Sequence, residues 1–277
     1  MTSDQAAGGA PVEVSVCVVS WNGRRHLERL LPALPAAAGD LAIEVIVVDN
    51  GSVDGTAELL ESHPEVVAIT NRENRGITRA RNQALLARVG RIVLMLDADT
   101  VPCAGSIAAL VAYLDERPEV GLVGAQLLNP DGSIQESCRT VPPATLPFLR
   151  RPPLDRLFEG SDLVGRHLMR DFDHATARPV DWVMGACQCY RSDLLPALGV
   201  YDERIFSHGG EDTDWCLRVW EAGLEVHYVP AARVQHEYGH FTRKNPFTKQ
   251  AFRALTDYYL MLWKHRDQRH GVHRRSG

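Results

Sequence analysis

Asp97 and Asp99 flank one small residue at the end of a very apolar run, RIVLMLDAD. Two carboxylates that close repel each other and lose hydration unless a cation compensates them. Oxygen ligands at such a place suit Mg2+ or Mn2+, ions that keep some water while binding substrate phosphates. A D-x-D is common, however, and a plain turn with an acidic helix cap before Thr100-Val101-Pro102 explains it equally well. A second acidic pair, Glu211-Asp212, heads a helix-like stretch, EDTDWCLRVWEAGL (211–224). A carboxylate at a helix N-terminus is stabilised as the anion and so is ready to take a proton. Ordinary N-capping accounts for the same residues, and taken alone they favour it. Asp214, three residues beyond Glu211, reads as a support for the helix start.

The elements that must hold these groups alternate. VSVCVV (14–19), AIEVIVVD (42–49), EVVAIT (65–70) and RIVLMLD (91–97) are strand-like and apolar on both faces. Between them lie a helix from Arg24 to about Leu34 that Pro32 and Pro35 close, a helix opened by Asp54, and an amphipathic helix over 77–89. That alternation predicts a parallel sheet covered on both sides. Ligands of such sheets bind beyond the carboxyl ends of the strands. The polar groups there are Ser20-Trp21-Asn22, Asp49 to Ser52, Asn71 to Asn74 and Asp97-Ala98-Asp99.

From Arg139 to Arg178 the pattern breaks into a proline- and arginine-rich stretch, read as a long mobile loop or lid. Order returns with VDWVMGACQCYRSDLL, the helix to the Gly223 stop, and a short strand, EVHYVP. The expected partition is a disordered 1–12, a nucleotide-sugar-binding half over 13–135, an acceptor-binding and catalytic half over 136–240, and a basic helix and tail over 241–277. That tail carries nine Lys and Arg residues against Asp257 and Asp267, around the apolar ALTDYYLMLW. It reads either as a helix on an anionic membrane surface or as one packed on the domain, with packing favoured for Tyr258 to Trp263.

With 277 residues the chain can bury a large core, and 45% hydrophobic against 23% charged residues is ordinary for a soluble globular protein. A net charge of −5 argues against a nucleic-acid partner. No secretory signal or spanning segment is evident, so the expectation is a cytoplasmic protein, at most peripheral to the plasma membrane. Six cysteines without a C-x-x-C spacing read as reduced thiols, and Cys187 and Cys189, two apart, should share one face. No G-x-G-x-x-G follows the first strand, which disfavours dinucleotide binding.

Taken together, VSVCVVSWNG, EVIVVDNGSVDGT, NRENRGITRARNQAL, IVLMLDADTVP and the stretch from GACQCYRSDLL to AARVQH resemble the family 2 nucleotide-diphospho-sugar glycosyltransferases of the GT-A fold, over about Val14 to Gly239. The resemblance implies an α/β, Rossmann-like fold with a C-terminal acceptor-binding elaboration. It also implies an inverting, metal-dependent transfer from a dTDP- or UDP-sugar, with dTDP-rhamnose the first choice, to a hydroxyl of a glycan, lipid-linked or natural-product acceptor. By that likeness Ser20 and Asn22 touch the nucleotide, Asp49 the base, and Asn74, Gly76 and Arg81 run along the nucleoside and diphosphate. Asp97 and Ala98 meet the ribose or donor sugar, and Asp99 with Asp97 ligates Mn2+ or Mg2+. His236 completes the metal site or contacts the diphosphate, with His227 and His240 as nearby competitors. Asp212 becomes the base and Glu211 its support or an acceptor contact, a division left open. For Arg79 and Arg81 the alternative is solvent exposure on a helix. The chain departs from the family pattern at Gly209-Gly210 and at Trp215, beside the expected acceptor site. A sugar-phosphate nucleotidyltransferase is the rival enzyme, although VVSWNGRRH lacks the Gly-rich basic loop it would need. A catalytically inactive nucleotide-sugar-binding module is the other rival, and homo-oligomerisation is left open.

Overall fold

Val14, Val16 and Val18 of β1 (Val14–Ser20) join one apolar cluster and Cys17 another, so the strand buries both of its faces. The computed structural model describes residues 11–141, 143–149, 154–205, 210–237 and 248–266. The expectation for 1–12 therefore falls almost wholly outside the described residues, as do Gly209, His240 and residues 241–247 and 267–277 of the basic helix and tail.

Along the chain, β1 is followed by α1 (Arg24–Ala38), β2 (Ile43–Asp49), α2 (Thr56–Glu61), β3 (Val66–Thr70), α3 (Ile77–Ala87) and β4 (Ile92–Asp97). Next come β5 (Thr100–Pro102), α4 (Ser106–Glu116), β6 (Val120–Leu128) and β7 (Cys138–Arg139). The connecting region holds three short helices, α5 (Leu146–Leu149), α6 (Asp155–Phe158) and α7 (Asp162–His167). Then follow β8 (Arg178–Pro179), β9 (Trp182–Val183), β10 (Cys187–Arg191), α8 (Leu195–Leu198), α9 (Glu211–Glu221), β11 (Glu225–His236) and α10 (Lys249–Lys264).

The sheet runs β3-β2-β1-β4-β10-β6-β11-β5, with β8 added beside β11. The first four strands are parallel, β10 is antiparallel to both neighbours, and β11 is parallel to β6. α1 and α4 cover the Val14 side through Leu27, Leu30, Leu34, Ile107, Leu110 and Leu114. α3 and α9 cover the other through Ala80, Ala84, Leu85, Trp215, Cys216 and Val219. The expected doubly covered sheet is present, and Cys187 and Cys189 point into the same cluster.

Three elements outrun the sequence pattern. α1 passes both prolines and ends at Ala38. An interior proline costs about 3 kcal/mol, but Leu31, Leu34 and Ala37 lie in the core beyond or beside them, and each buried leucine contributes roughly 1.5–3 kcal/mol. β11 spans twelve residues rather than the six of EVHYVP. Its register slips between Val229 and Arg233, so Pro230 sits in an irregularity where no ladder hydrogen bond is asked of it. The strand then continues and carries His236 to the end of the sheet where Asp97 lies. The connecting region is the third: its helices close a small cluster of Leu146, Val164 and Leu168. By contrast, α3 stops two residues short of the expected 89, and α9 ends at Glu221, with Gly223 left-handed at φ 80°.

α10 packs on the domain. Met261 and Leu262 are buried with Ile205 and Leu217, while Phe252 and Trp263 face outward. No helix among the described residues is long and apolar enough to cross a membrane.

Candidate active site

The parallel register levels the strand ends: Ser20 lies beside Asp49, Asp49 beside Thr70, and Val19 beside Asp97. The chain winds outward from β1 to β3 and returns to β4 on the other side, so a crevice opens where the order reverses, between Ser20 and Asp97. All four polar strand ends expected from the sequence lie at this one edge of the sheet.

The donor-side loops are knitted by neutral groups. The buried Asn50 amide donates to Asn74 Oδ1 at 3.1 Å and to the Gly76 carbonyl at 3.3 Å. Its Oδ1 accepts from Asn71 Nδ2 at 3.1 Å and from the Arg75 N–H at 3.0 Å. Asn50, one of the polar strand-end residues read from the sequence, is thus the hub that fixes the 71–76 segment. Asn22 is left-handed at φ 52°, which asparagine tolerates, and its N–H donates to Ser52 Oγ at 2.7 Å while its Oδ1 accepts from Val53 N at 2.9 Å. Asp49, 1% exposed, accepts from the Ser52 N–H at 3.0 Å. The buried Ser20 hydroxyl has no hydrogen-bond partner in the described protein.

Asp97, Asp99 and His236 bring one ligand atom each to within 4.8 Å of one another. The pairing of β5 with β11 sets His236 opposite Thr100, and Glu237 N–H donates to the Asp99 carbonyl at 3.0 Å. His236 Nε2 lies 3.6 Å from Asp99 Oδ1. On its other side, Nδ1 meets Gln135 Oε1 at 2.9 Å, and Gln135 Nε2 donates to the His236 carbonyl at 2.7 Å. An amide oxygen there calls for the Nδ1–H tautomer and leaves the Nε2 lone pair facing the carboxylates. Burial lowers the imidazole pKa below its ordinary value, against the pull of Asp97, so the ring is held neutral. Two carboxylates and an oriented neutral imidazole fit a divalent cation. His227 is engaged elsewhere, with Tyr113 and Glu225.

The other wall is built on charge. Arg81, 1% exposed, donates from Nη2 to Asp97 Oδ1 at 2.9 Å and to the Gly185 carbonyl at 3.3 Å, and from Nη1 to Glu211 Oε1 at 3.4 Å. Burial opposes its charge, yet Asp97 and Glu211 raise its pKa further, so it stays a cation. Arg81 therefore ties the D-x-D to the helix-heading acidic pair instead of lying exposed; Arg79 is the exposed one, paired with Glu203 at 2.9 Å. A Cβ on Gly185 would lie 2.8 Å from Arg81 Nη2, so a larger residue there would push on the guanidinium that joins Asp97 to Glu211. The Gly185 N–H donates to Asp212 Oδ2 at 3.1 Å, and the Thr213 N–H to Oδ1 at 2.8 Å. Asp212 is half-buried with both oxygens oriented, whereas Glu211 is buried on Arg81.

Trp215, expected beside the acceptor site, is instead fully buried, stacked on Tyr201 at 4.5 Å and near Tyr190. Sequence reasoning assigned no role to Gln135 or Gly185. A glycine in the apolar run VDWVMGACQC marks a close backbone approach and was a usable signal; Gln135, in an irregular loop, left none.

Comparison with known proteins agrees with this architecture. Glycosyl transferase family 2 matches residues 15–158, which is more than half of the chain, and the protein belongs to that family. A Mycobacterium tuberculosis N-acetylglucosaminyl-diphospho-decaprenol L-rhamnosyltransferase is 29% identical over 271 residues, covering 90% of this chain and 84% of the relative. A pre-mycofactocin glycosyltransferase of the same organism is 28% identical over 234 residues, 84% of this chain and 44% of the relative. Among solved structures, GalNAc-T7 with UDP, GalNAc and Mn2+ superposes with a TM-score of 0.68 at 19% identity, over 91% of this chain and 48% of that one. The Pyrobaculum calidifontis mannosyltransferase in complex with GDP-Man and Mn2+ gives 0.55 at 21%, over 93% and 77%. The fold is that of the GT-A nucleotide-sugar glycosyltransferases.

Proposed function

We propose that the protein is an inverting, metal-dependent glycosyltransferase that moves a sugar from a nucleotide-diphosphate donor to an acceptor hydroxyl. The observation that carries this reading is the junction at Arg81 and Gly185, which links the Asp97–Asp99–His236 cluster to Asp212 through hydrogen bonds. The nucleoside rests on Ser20, Asn22 and Asp49, with Asn74 and Gly76 along its flank and Asp97 and Ala98 toward the sugar. Asp99, Asp97 and His236 would hold Mn2+ or Mg2+, which supplies neutralising charge to the departing diphosphate. Asp212 takes the acceptor proton. As the acceptor oxygen bonds to the anomeric carbon, the bond from that carbon to the diphosphate oxygen breaks on the opposite face, and the configuration inverts. Glu211, locked on Arg81, supports that base and the acceptor.

The rhamnosyltransferase relative, which spans a similar length, supports dTDP-rhamnose as donor and a lipid-linked acceptor, with a UDP-sugar as the other donor choice. The basic residues after Phe241 support a cytoplasmic enzyme resting against an anionic membrane face.

The test is thermal shift with dTDP, UDP, GDP and dTDP-rhamnose, each with and without Mn2+. A nucleotide at about a hundred times its Kd adds about 2.7 kcal/mol of stability, a shift of a few degrees. The expected result is stabilisation by dTDP or UDP that needs Mn2+; no metal-dependent shift with any nucleotide sinks the donor site.

A further inference from the structure

Lys264, the last residue of α10, and His265, which follows it, reach Asp202 and the α9 carboxylates Asp214 and Glu221. Lys264 Nζ lies 2.7 Å from Asp214 Oδ1 and 3.2 Å from Asp202 Oδ2. His265 meets the same Asp214 oxygen through Nε2 at 2.9 Å and Glu221 Oε1 through Nδ1 at 2.5 Å. Asp214 is 1% exposed and has Arg218 as a further partner at 3.0 Å, while Arg204 brackets Asp202 at 2.7 Å. Burial would push the Asp214 carboxyl up, yet His265, Arg218 and Lys264 together hold it below its ordinary range.

The same helix presses on the residue before α9. A Cβ on Gly210 would lie 3.2 Å from Met261 Cβ and 3.6 Å from the Asp257 carbonyl, so α10 approaches the head of α9 closely. The first turn of α9 is thus held on two sides, by Arg81 on Glu211 and by Lys264 and His265 on Asp214. Lys264, by touching both Asp202 and Asp214, also ties the chain before Ile205 to the first turn of α9. Buried ion pairs are a poor source of net stability, since apolar packing of similar volume is often as good or better. Their geometry, in contrast, is exacting. Lys264 and His265 both lie outside the family-matched residues 15–158.

We propose that Lys264 and His265 are positioning residues for sugar transfer, stapling Asp202, Asp214 and Glu221 so that the first turn of α9 is seated in one place and Asp212 meets the Gly185 N–H. The effect on transfer rests on the proposed function; the staple itself does not.

The experiment uses the full chain, with Lys264→Met, His265→Gln and Lys264→Arg. Hydrogen–deuterium exchange is followed on peptides covering 202–214 and on β1 and β4, together with Mn2+-dependent binding of dTDP and UDP and release of nucleoside diphosphate from the donor sugar. In the first two variants exchange over 202–214 should rise about tenfold with β1 and β4 unchanged. kcat should fall about a hundredfold, with nucleotide affinity and donor KM retained, and Lys264→Arg should recover most of the loss. Unchanged exchange in both variants overturns the staple, as does acceleration spread over the whole sheet. Local loosening with unchanged kcat overturns the positioning role. If no nucleotide binds the wild type, the functional reading fails while the exchange result still decides the staple.

Discussion

The donor wall of the cleft is held by neutral hydrogen bonds between near neighbours in the chain, and the catalytic wall by buried charges between distant ones. Asn50 reaches partners 21 to 26 residues away, all on the loops of successive strands. Arg81 reaches Glu211 across 130 residues, Lys264 reaches Asp202 across 62, and His265 reaches Asp214 across 51. The difference teaches how each wall fails. A lost neutral hydrogen bond leaves an unsatisfied polar atom, at about 1–3 kcal/mol, whereas one lost partner of a buried ion pair leaves a bare charge, at about 3–5 kcal/mol. The donor wall is complete once the parallel strands have paired. The catalytic wall exists only when the chain from Arg81 to His265 has folded as one.

Asp212→Asn gives the largest expected effect. It keeps size and, through its single amide oxygen, one of the two backbone contacts but removes the base, so transfer should fall by about 10²–10⁴-fold while Mn2+-dependent nucleotide binding is kept. Retained transfer would end the assignment of Asp212. Next is Arg81→Met, which strands Asp97 and Glu211 and should destabilise the fold by about 3–5 kcal/mol in urea. Asn50→Ala, its counterpart on the donor wall, should cost only about 1–3 kcal/mol. If the asparagine variant proves the more damaging, the contrast between the walls is wrong. Gln135→Leu should lower Mn2+ affinity by about 10–100-fold, because it frees the His236 tautomer without removing a ligand; isothermal titration with and without dTDP or UDP reads it.

That division also marks what could be read from the residues alone. The four parallel strands, their order of polar ends and the D-x-D are periodicities and spacings within the first hundred residues, and all lie where the pattern puts them. α1 ran on through Pro32 and Pro35 because core burial of Leu34 and Ala37, invisible to local propensity, outweighs the prolines. β11 reached His236 because the slip at Pro230 is a tertiary accommodation. Arg81 read as a cation for the diphosphate, with an exposed helix face as the alternative, and only the sheet order brings Glu211 and Gly185 to it. Long-range charge pairs have no local signature, which is why Lys264 and His265 read only as part of a basic helix and tail.

The smallest effect expected concerns acid. The carboxyls of Asp214 and Asp202 are both held below their ordinary pKa, the first against burial by His265, Arg218 and Lys264, the second chiefly by its hydrogen bond from Arg204 with help from Lys264. A depressed folded-state pKa gives stability that is complete above the unfolded value, about 3.9 for aspartate, and is lost as pH falls toward the folded value. The α10 attachment should therefore weaken below about pH 4, while the Asn50, Asn71 and Asn74 net of the donor wall binds no protons and holds. Lys264→Met removes one of the depressing cations, so its melting temperature should start lower at neutral pH and decline less steeply than that of the wild type between about pH 5 and 3. Circular dichroism melts at half-unit intervals resolve the two slopes. Parallel curves would mean that Lys264 does not set the proton affinity of Asp214 and Asp202, and that the charge-built wall is no more acid-sensitive than the neutral one.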